Sequence, residues 1–95
     1  VIPTETSVHQ DERRGWTVLE VATPDRPGLL ANIGAVFVAQ NVALQAAKIQ
    51  TLGERVEDVF FVTTSDGNSI NDAHTLNLLE DAVKQSLDAE LQSNP

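Results

Sequence analysis

The stretch Thr23-Pro24-Asp25-Arg26-Pro27-Gly28-Leu29-Leu30 constrains this chain more than any other. It joins a strand-like run, Trp16 to Ala22, to a helix-like run, Leu29 to Gln40. Pro24 and Pro27 fix φ near the end of the strand and remove two backbone donors. Gly28 has no Cβ, so the backbone there can come close to another group. Leu29 and Leu30 then start the apolar stripe of the helix. A strand that stops abruptly and feeds a helix N-terminus leaves free N–H groups in a small polar cradle. Such a cradle suits the carboxylate of a small molecule.

The rest of the chain supplies elements around that junction. Val1 to Gln10 alternates Ile2, Thr4, Thr6 and Val8 against Glu5, Ser7 and His9, the pattern of an edge strand. Asp11 to Gly15 is a polar turn, and Trp16 to Ala22 is a strand with one mostly apolar face. Leu30, Ile33, Gly34, Phe37 and Val38 recur at helical spacing. A glycine inside a helix costs about 1 kcal/mol relative to alanine, so close packing on a sheet is the expected use of Gly34. Asn41 is placed to end the helix in a left-handed conformation. Val42 to Leu52 alternates at first and slips phase at Lys48-Ile49, as a bulge or edge position would make it. Gly53-Glu54 connects it tightly to Arg55–Ser65, where Val59-Phe60-Phe61-Val62 is apolar on both faces and suits a central strand. After a turn at Asp66-Gly67-Asn68, Asn71 is expected to cap a final helix with Asp72 in its first turn. Ala73, Leu76, Leu79, Val83, Leu87 and Leu91 form its expected buried stripe. The order strand, strand, helix, strand, strand, helix predicts an α+β domain: an antiparallel sheet with both helices on one face.

Ninety-five residues make one small domain. Residues 1–15 read as an edge strand and turn, 16–91 as the core, and 92–95 as a frayed tail. Without a methionine, the first residue is not an initiator, and an excised piece of a longer protein is the expectation. A formal charge of −8 repels phosphate backbones and anionic lipid, so neither a nucleic acid nor a membrane surface is an expected partner. The absence of cysteine fits a cytoplasmic origin. No apolar run approaches the roughly 18–20 residues needed to span a bilayer.

Catalysis needs a nucleophile with a base, a metal cage or paired carboxylates. His9 and His74 are the two histidines, one in the edge segment and one at the start of the last helix, and they read as solvated surface groups. Glu57 and Asp58 are neighbours on a strand, point to opposite faces and cannot act as a pair. No enzyme activity is expected of this chain, and no cofactor or metal.

On spacing alone, a proline-glycine turn with Asp25 as a simple helix cap explains the loop better than a ligand site does. A resemblance reverses that preference. Asp25-Arg26-Pro27-Gly28-Leu29-Leu30 after a strand resembles the first loop of an ACT domain, a regulatory module that often binds amino acids. The stretch Lys48-Ile49-Gln50-Thr51-Leu52-Gly53-Glu54-Arg55-Val56-Glu57-Asp58-Val59-Phe60-Phe61-Val62-Thr63 narrows the likeness. It resembles the C-terminal ACT domain of bacterial bifunctional uridylyltransferase/uridylyl-removing enzymes, which modify the nitrogen signal protein PII. The likeness runs from about Trp16 to about Leu87.

The resemblance implies a ferredoxin-like ACT fold with a four-stranded antiparallel sheet. An ordinary ACT domain runs strand-helix-strand-strand-helix-strand, so the order here implies a circular permutation, ββαββα, with the N-terminal segment filling the missing edge. It further implies glutamine sensing, with catalysis and its Mg2+ left to other domains of the parent, and a second ACT domain as partner. That partner is a tandem domain in the parent and a second copy for the free fragment. In amino-acid-binding ACT domains this loop and the second strand of a partner domain enclose the ligand. The matching positions are Asp25, Pro27, Gly28, Leu29 and Leu30, with Asn41 to Gln45 on the second strand. Amides near Gly28 to Leu30 would hold the ligand carboxylate, Asp25 its ammonium, and Asn41 or Gln45 a side-chain amide. Arg26 reads as an exposed charge or an interdomain contact. Serine-binding ACT domains carry an asparagine where this chain has Ala43, so the serine-type clamp is incomplete and a longer ligand such as glutamine would reach Gln45.

Overall fold

The computed structural model describes residues 3–93, with side chains through residue 89. Val1 and Ile2 of the expected edge strand, the side chain of Leu91, and Asn94-Pro95 of the expected tail lie outside the described residues. The elements are β1 (Glu5–Asp11), β2 (Trp16–Pro24), α1 (Leu29–Ala39), β3 (Val42–Lys48), β4 (Thr51–Leu52), β5 (Arg55–Thr64) and α2 (Ala73–Ser93). The helix therefore continues past residue 91, where fraying was expected.

The strands pair antiparallel in the order β1-β2-β5-β3, and β4 also pairs with β5. Because β3 and β4 lie along the same side of β5, the sheet has four lanes, one of them interrupted at Ile49-Gln50. β1 pairs with β2 from Glu5↔Ala22 to Asp11↔Trp16, so the N-terminal segment does fill the edge expected of a permuted ACT sheet. The expected slip at Lys48-Ile49 has a different form. A bulge falls earlier, where Leu44 pairs with Val62 and Ala46 with Phe61, leaving Gln45 extra. The ladder then breaks at Gln50, whose N–H donates to the Asp58 side chain at 3.1 Å.

Alternation along the strands assigns the two sheet faces. Leu19 and Val21 of β2 and Val56, Phe60 and Val62 of β5 face the helices. They pack against Leu29, Ile33, Val36 and Phe37 of α1 and Leu79, Val83 and Leu87 of α2. Phe37 meets Phe60 edge-on, with ring centroids 5.4 Å apart. Burial of these side chains, not helix propensity, holds both helices on one face.

Three details differ from the periodicity reading. The buried stripe of α1 runs through Leu29, Ile33, Val36 and Phe37, while Leu30 and Val38 are exposed. Helix α2 is capped by Asp72 instead of Asn71: its carboxylate accepts from Thr75 N at 3.0 Å, and α2 has no acidic residue in its first turn. Gly34 does not pack closely on the sheet, since a Cβ built there meets nothing within 4 Å. The substitution Gly34→Ala should therefore raise stability by about 0.5–1 kcal/mol, the helix-propensity gain, with no steric penalty. Urea denaturation checks this, and a fall in the midpoint would show that α1 sits closer to a neighbour than the structure places it.

Candidate functional site

The loop at Asp25–Gly28 is held at both ends. Pro24 is the last residue of β2, opposite Arg55, and the Asp25 N–H donates to Glu54 O at 2.8 Å. Gly28 takes φ 78° and ψ 5°, a left-handed conformation natural to glycine, and turns the chain into α1. No side chain caps the helix, so Asp25 is not the simple cap that spacing alone suggested. The first helical hydrogen bond runs from Asn32 N to Gly28 O at 3.0 Å. The amides ahead of Asn32 have no intrahelical acceptor, and the helix dipole adds a partial positive charge beside them.

These amides border a cavity of about 250 Å³. Asp25, Arg26, Gly28, Leu29, Leu30 and Ala31 line it from the loop and α1, Ile49 and Thr51 from the edge lane, and Val56 and Asp58 from β5. Four of the seven expected site residues thus meet at one concavity. Pro27 shapes the turn and is exposed without lining the cavity. Asn41 has φ 60° and ends α1 as expected, which puts it the length of an 11-residue helix, roughly 16 Å, from Gly28. Gln45 is the bulged residue of β3, and its Nε2 donates to Thr63 Oγ1 at 3.1 Å. Asn41 and Gln45 are exposed at the β3 side of the domain, where a neighbouring domain has access to them.

Sequence reasoning passed over Asp58. Its side chain is 1% exposed and shares the helix face of β5 with Val56 and Phe60. Oδ1 accepts from Gln50 N, and Oδ2 has no hydrogen-bond partner among the described residues. Burial pushes the Asp58 carboxyl above the usual carboxylate range, the Gln50 hydrogen bond opposes that rise, and nearby Asp25 adds to it. The available signal was a carboxylate standing at a core-facing position between two buried apolar residues.

Among the described residues no group of three or more His, Cys, Asp and Glu is arranged to hold a metal ion. No described helix is long and apolar enough to cross a membrane.

A four-lane antiparallel sheet with two helices on one face, and a glycine-turned loop opening onto a cavity, fit an α+β domain of the ACT type. The chain belongs to the ACR family N-terminal ACT domain, whose model matches residues 13–90. It is also similar to bifunctional uridylyltransferase/uridylyl-removing enzymes. It is 47% identical over 87 residues to that of Pseudomonas putida strain W619, covering 92% of this chain and 10% of the relative. For Stutzerimonas stutzeri strain A1501 the figures are 44% over 93 residues, 98% and 10%. For Pseudomonas fluorescens strain Pf-5 they are 49% over 83 residues, 87% and 9%. The chain spans about a tenth of the length of these relatives. It corresponds to a small ACT domain within them.

Proposed function

We propose that this chain is the amino-acid-sensing module of a cytoplasmic PII uridylyltransferase/uridylyl-removing enzyme, and that its ligand is L-glutamine. The observation that carries the reading is the uncapped start of α1 at a cavity that also presents carboxylates. Amides at a helix start bind a carboxylate, and acidic side chains bind an ammonium. The family model describes an N-terminal ACT domain, which supports a place ahead of another ACT domain in the C-terminal regulatory part of the parent. Glutamine would shift the parent from PII uridylylation toward deuridylylation by binding one arrangement of its domains better than the other. The module needs no cofactor of its own.

Titration calorimetry with L-glutamine tests this. Heat and a thermal shift at millimolar ligand are expected, and Asp25→Ala should weaken both. A flat titration with the folded protein would sink the sensing role.

A second reading has its own support. Leu44, Ile49 and Leu52 are each at least 43% exposed along the β3–β4 lane, and that edge has no strand beside it among the described residues. An apolar open edge suits pairing with another ACT domain, which would bring Asn41 and Gln45 to the neighbour's cavity. Sedimentation should show self-association of the wild type and its loss in Leu44→Asp. A strict monomer at high concentration contradicts edge pairing. An intact dimer whose wild type responds to glutamine favours sensing, whereas a dimer whose wild type shows no glutamine response favours a module that only pairs.

A further inference from the structure

The cavity beside α1 holds two unequal carboxylates. Asp25 is exposed to water, while Asp58 is 1% exposed on the floor and its Oδ2 has no hydrogen-bond partner among the described residues. A buried carboxylate oxygen left without a donor costs free energy in the folded state, and a ligand that supplies the donor recovers it. The uncapped start of α1 borders the same cavity. One cavity therefore carries both a carboxylate and free amides, complementary to the ammonium and carboxylate of a zwitterion.

We propose that Asp58, and not the exposed Asp25, holds the α-ammonium of an amino acid whose carboxylate rests on the first-turn amides of α1. The assignment rests on the amino-acid-sensing reading above and adds a residue to it. Asp58 is the stronger anchor because water is excluded around it, so a charge-assisted hydrogen bond there is worth more than one at the surface. It is also fixed in place, since Oδ1 already accepts from Gln50 N at 3.1 Å. That bond links the ligand to the break between β3 and β4, on the edge open to a partner domain. The charged side chains sharing the cavity with Asp58 are Asp25 and Arg26, both from the loop. Burial raises the Asp58 carboxyl, so an arriving ammonium should displace a proton from it.

Asp58→Asn in the full chain is the direct test, because Asn keeps an oxygen for Gln50 N and replaces the charged Oδ2 by an NH2 group that cannot accept from an ammonium. Calorimetry with L-glutamine should show affinity lower by roughly ten- to a hundredfold, the range for loss of one hydrogen bond to a charged group. The desamino analogue of glutamine, which lacks the ammonium, should bind wild type and variant alike, and Asp25→Asn should cost less than Asp58→Asn. Wild-type affinity in Asp58→Asn, or a larger loss in Asp25→Asn, overturns the Asp58 assignment and leaves sensing intact. A wild type that binds no L-amino acid overturns both. If Asp58→Asn does not fold, the wild type still decides the matter. Titrations at mildly acidic pH in buffers of different ionisation enthalpy should show proton release on glutamine binding, and none would overturn the assignment.

Discussion

The substitution Phe60→Ala should cost about 3–5 kcal/mol of stability, the usual range for deleting a buried aromatic side chain. A domain of this length has roughly 5–14 kcal/mol in total, so the variant would stand near the limit of folding. Phe60 sits in β5, the central lane, with Leu19 as its cross-strand partner on β2 and Ala47 on β3. Its ring is edge-on to Phe37 of α1, and α2 brings Leu79, Val83 and Leu87 to the same core. Truncation leaves a cavity between sheet and helices that neither can close without losing other contacts. Phe61→Ala offers the contrast. Phe61 lies on the opposite face, where Trp16 is 5.8 Å away and the charged ends of Arg14 and Lys48 lie 5.6 and 5.9 Å from its ring. Those flexible neighbours can settle into the gap, so the loss should be about half as large. Urea unfolding with an unchanged m-value would measure both. Equal losses would mean that the open face is packed as tightly as the helix face.

The parts of this fold written in local chemistry were legible in the sequence. Pro24, Pro27 and Gly28 end a strand and start a helix for reasons internal to those residues, and Asn41 takes the left-handed conformation its type favours. What depends on distant packing was not legible. Leu29-Leu30 and Val36-Phe37-Val38 put apolar residues all round one side of α1, so period alone could not choose which of them is buried. Only contact with β5 and α2 decides it. The break in the edge lane was hidden for the same reason, because the Gln50 amide is engaged by a side chain from the neighbouring strand. Half of the candidate site could be read from the loop. Its floor could not, because alternation separates Glu57 from Asp58 and so seemed to dismiss both, although it is the same alternation that carries Asp58 alone into the interior beneath the helix start.

Removing the Asp58 charge should change stability in the opposite direction from core truncation, and by an amount set by pH. Burial and Asp25 raise the Asp58 carboxyl in the native state, despite the Gln50 hydrogen bond. In the unfolded chain the same carboxyl titrates in the ordinary range. Between those two values the native protein binds more protons than the unfolded chain, so stability falls as pH rises through that window. Above the window the folded state carries an ionised carboxylate with one oxygen unpartnered, and the penalty is then constant. Asp58→Asn keeps the acceptor for Gln50 and has nothing to titrate. The melting temperature of the variant minus that of the wild type should therefore become more positive as pH rises from the ordinary carboxylate range through the raised folded value, and then level off. Asp25 and Arg26 share the cavity, so Asp25→Asn in the same series removes the neighbouring charge that adds to the Asp58 rise. A difference that does not vary with pH would mean that Asp58 titrates normally. Saturating L-glutamine adds the decisive comparison. If its ammonium pairs with Asp58, the ligand should abolish the wild-type penalty at neutral pH and stabilise the wild type far more than Asp58→Asn, so that a residue destabilising in the empty domain becomes stabilising in the occupied one.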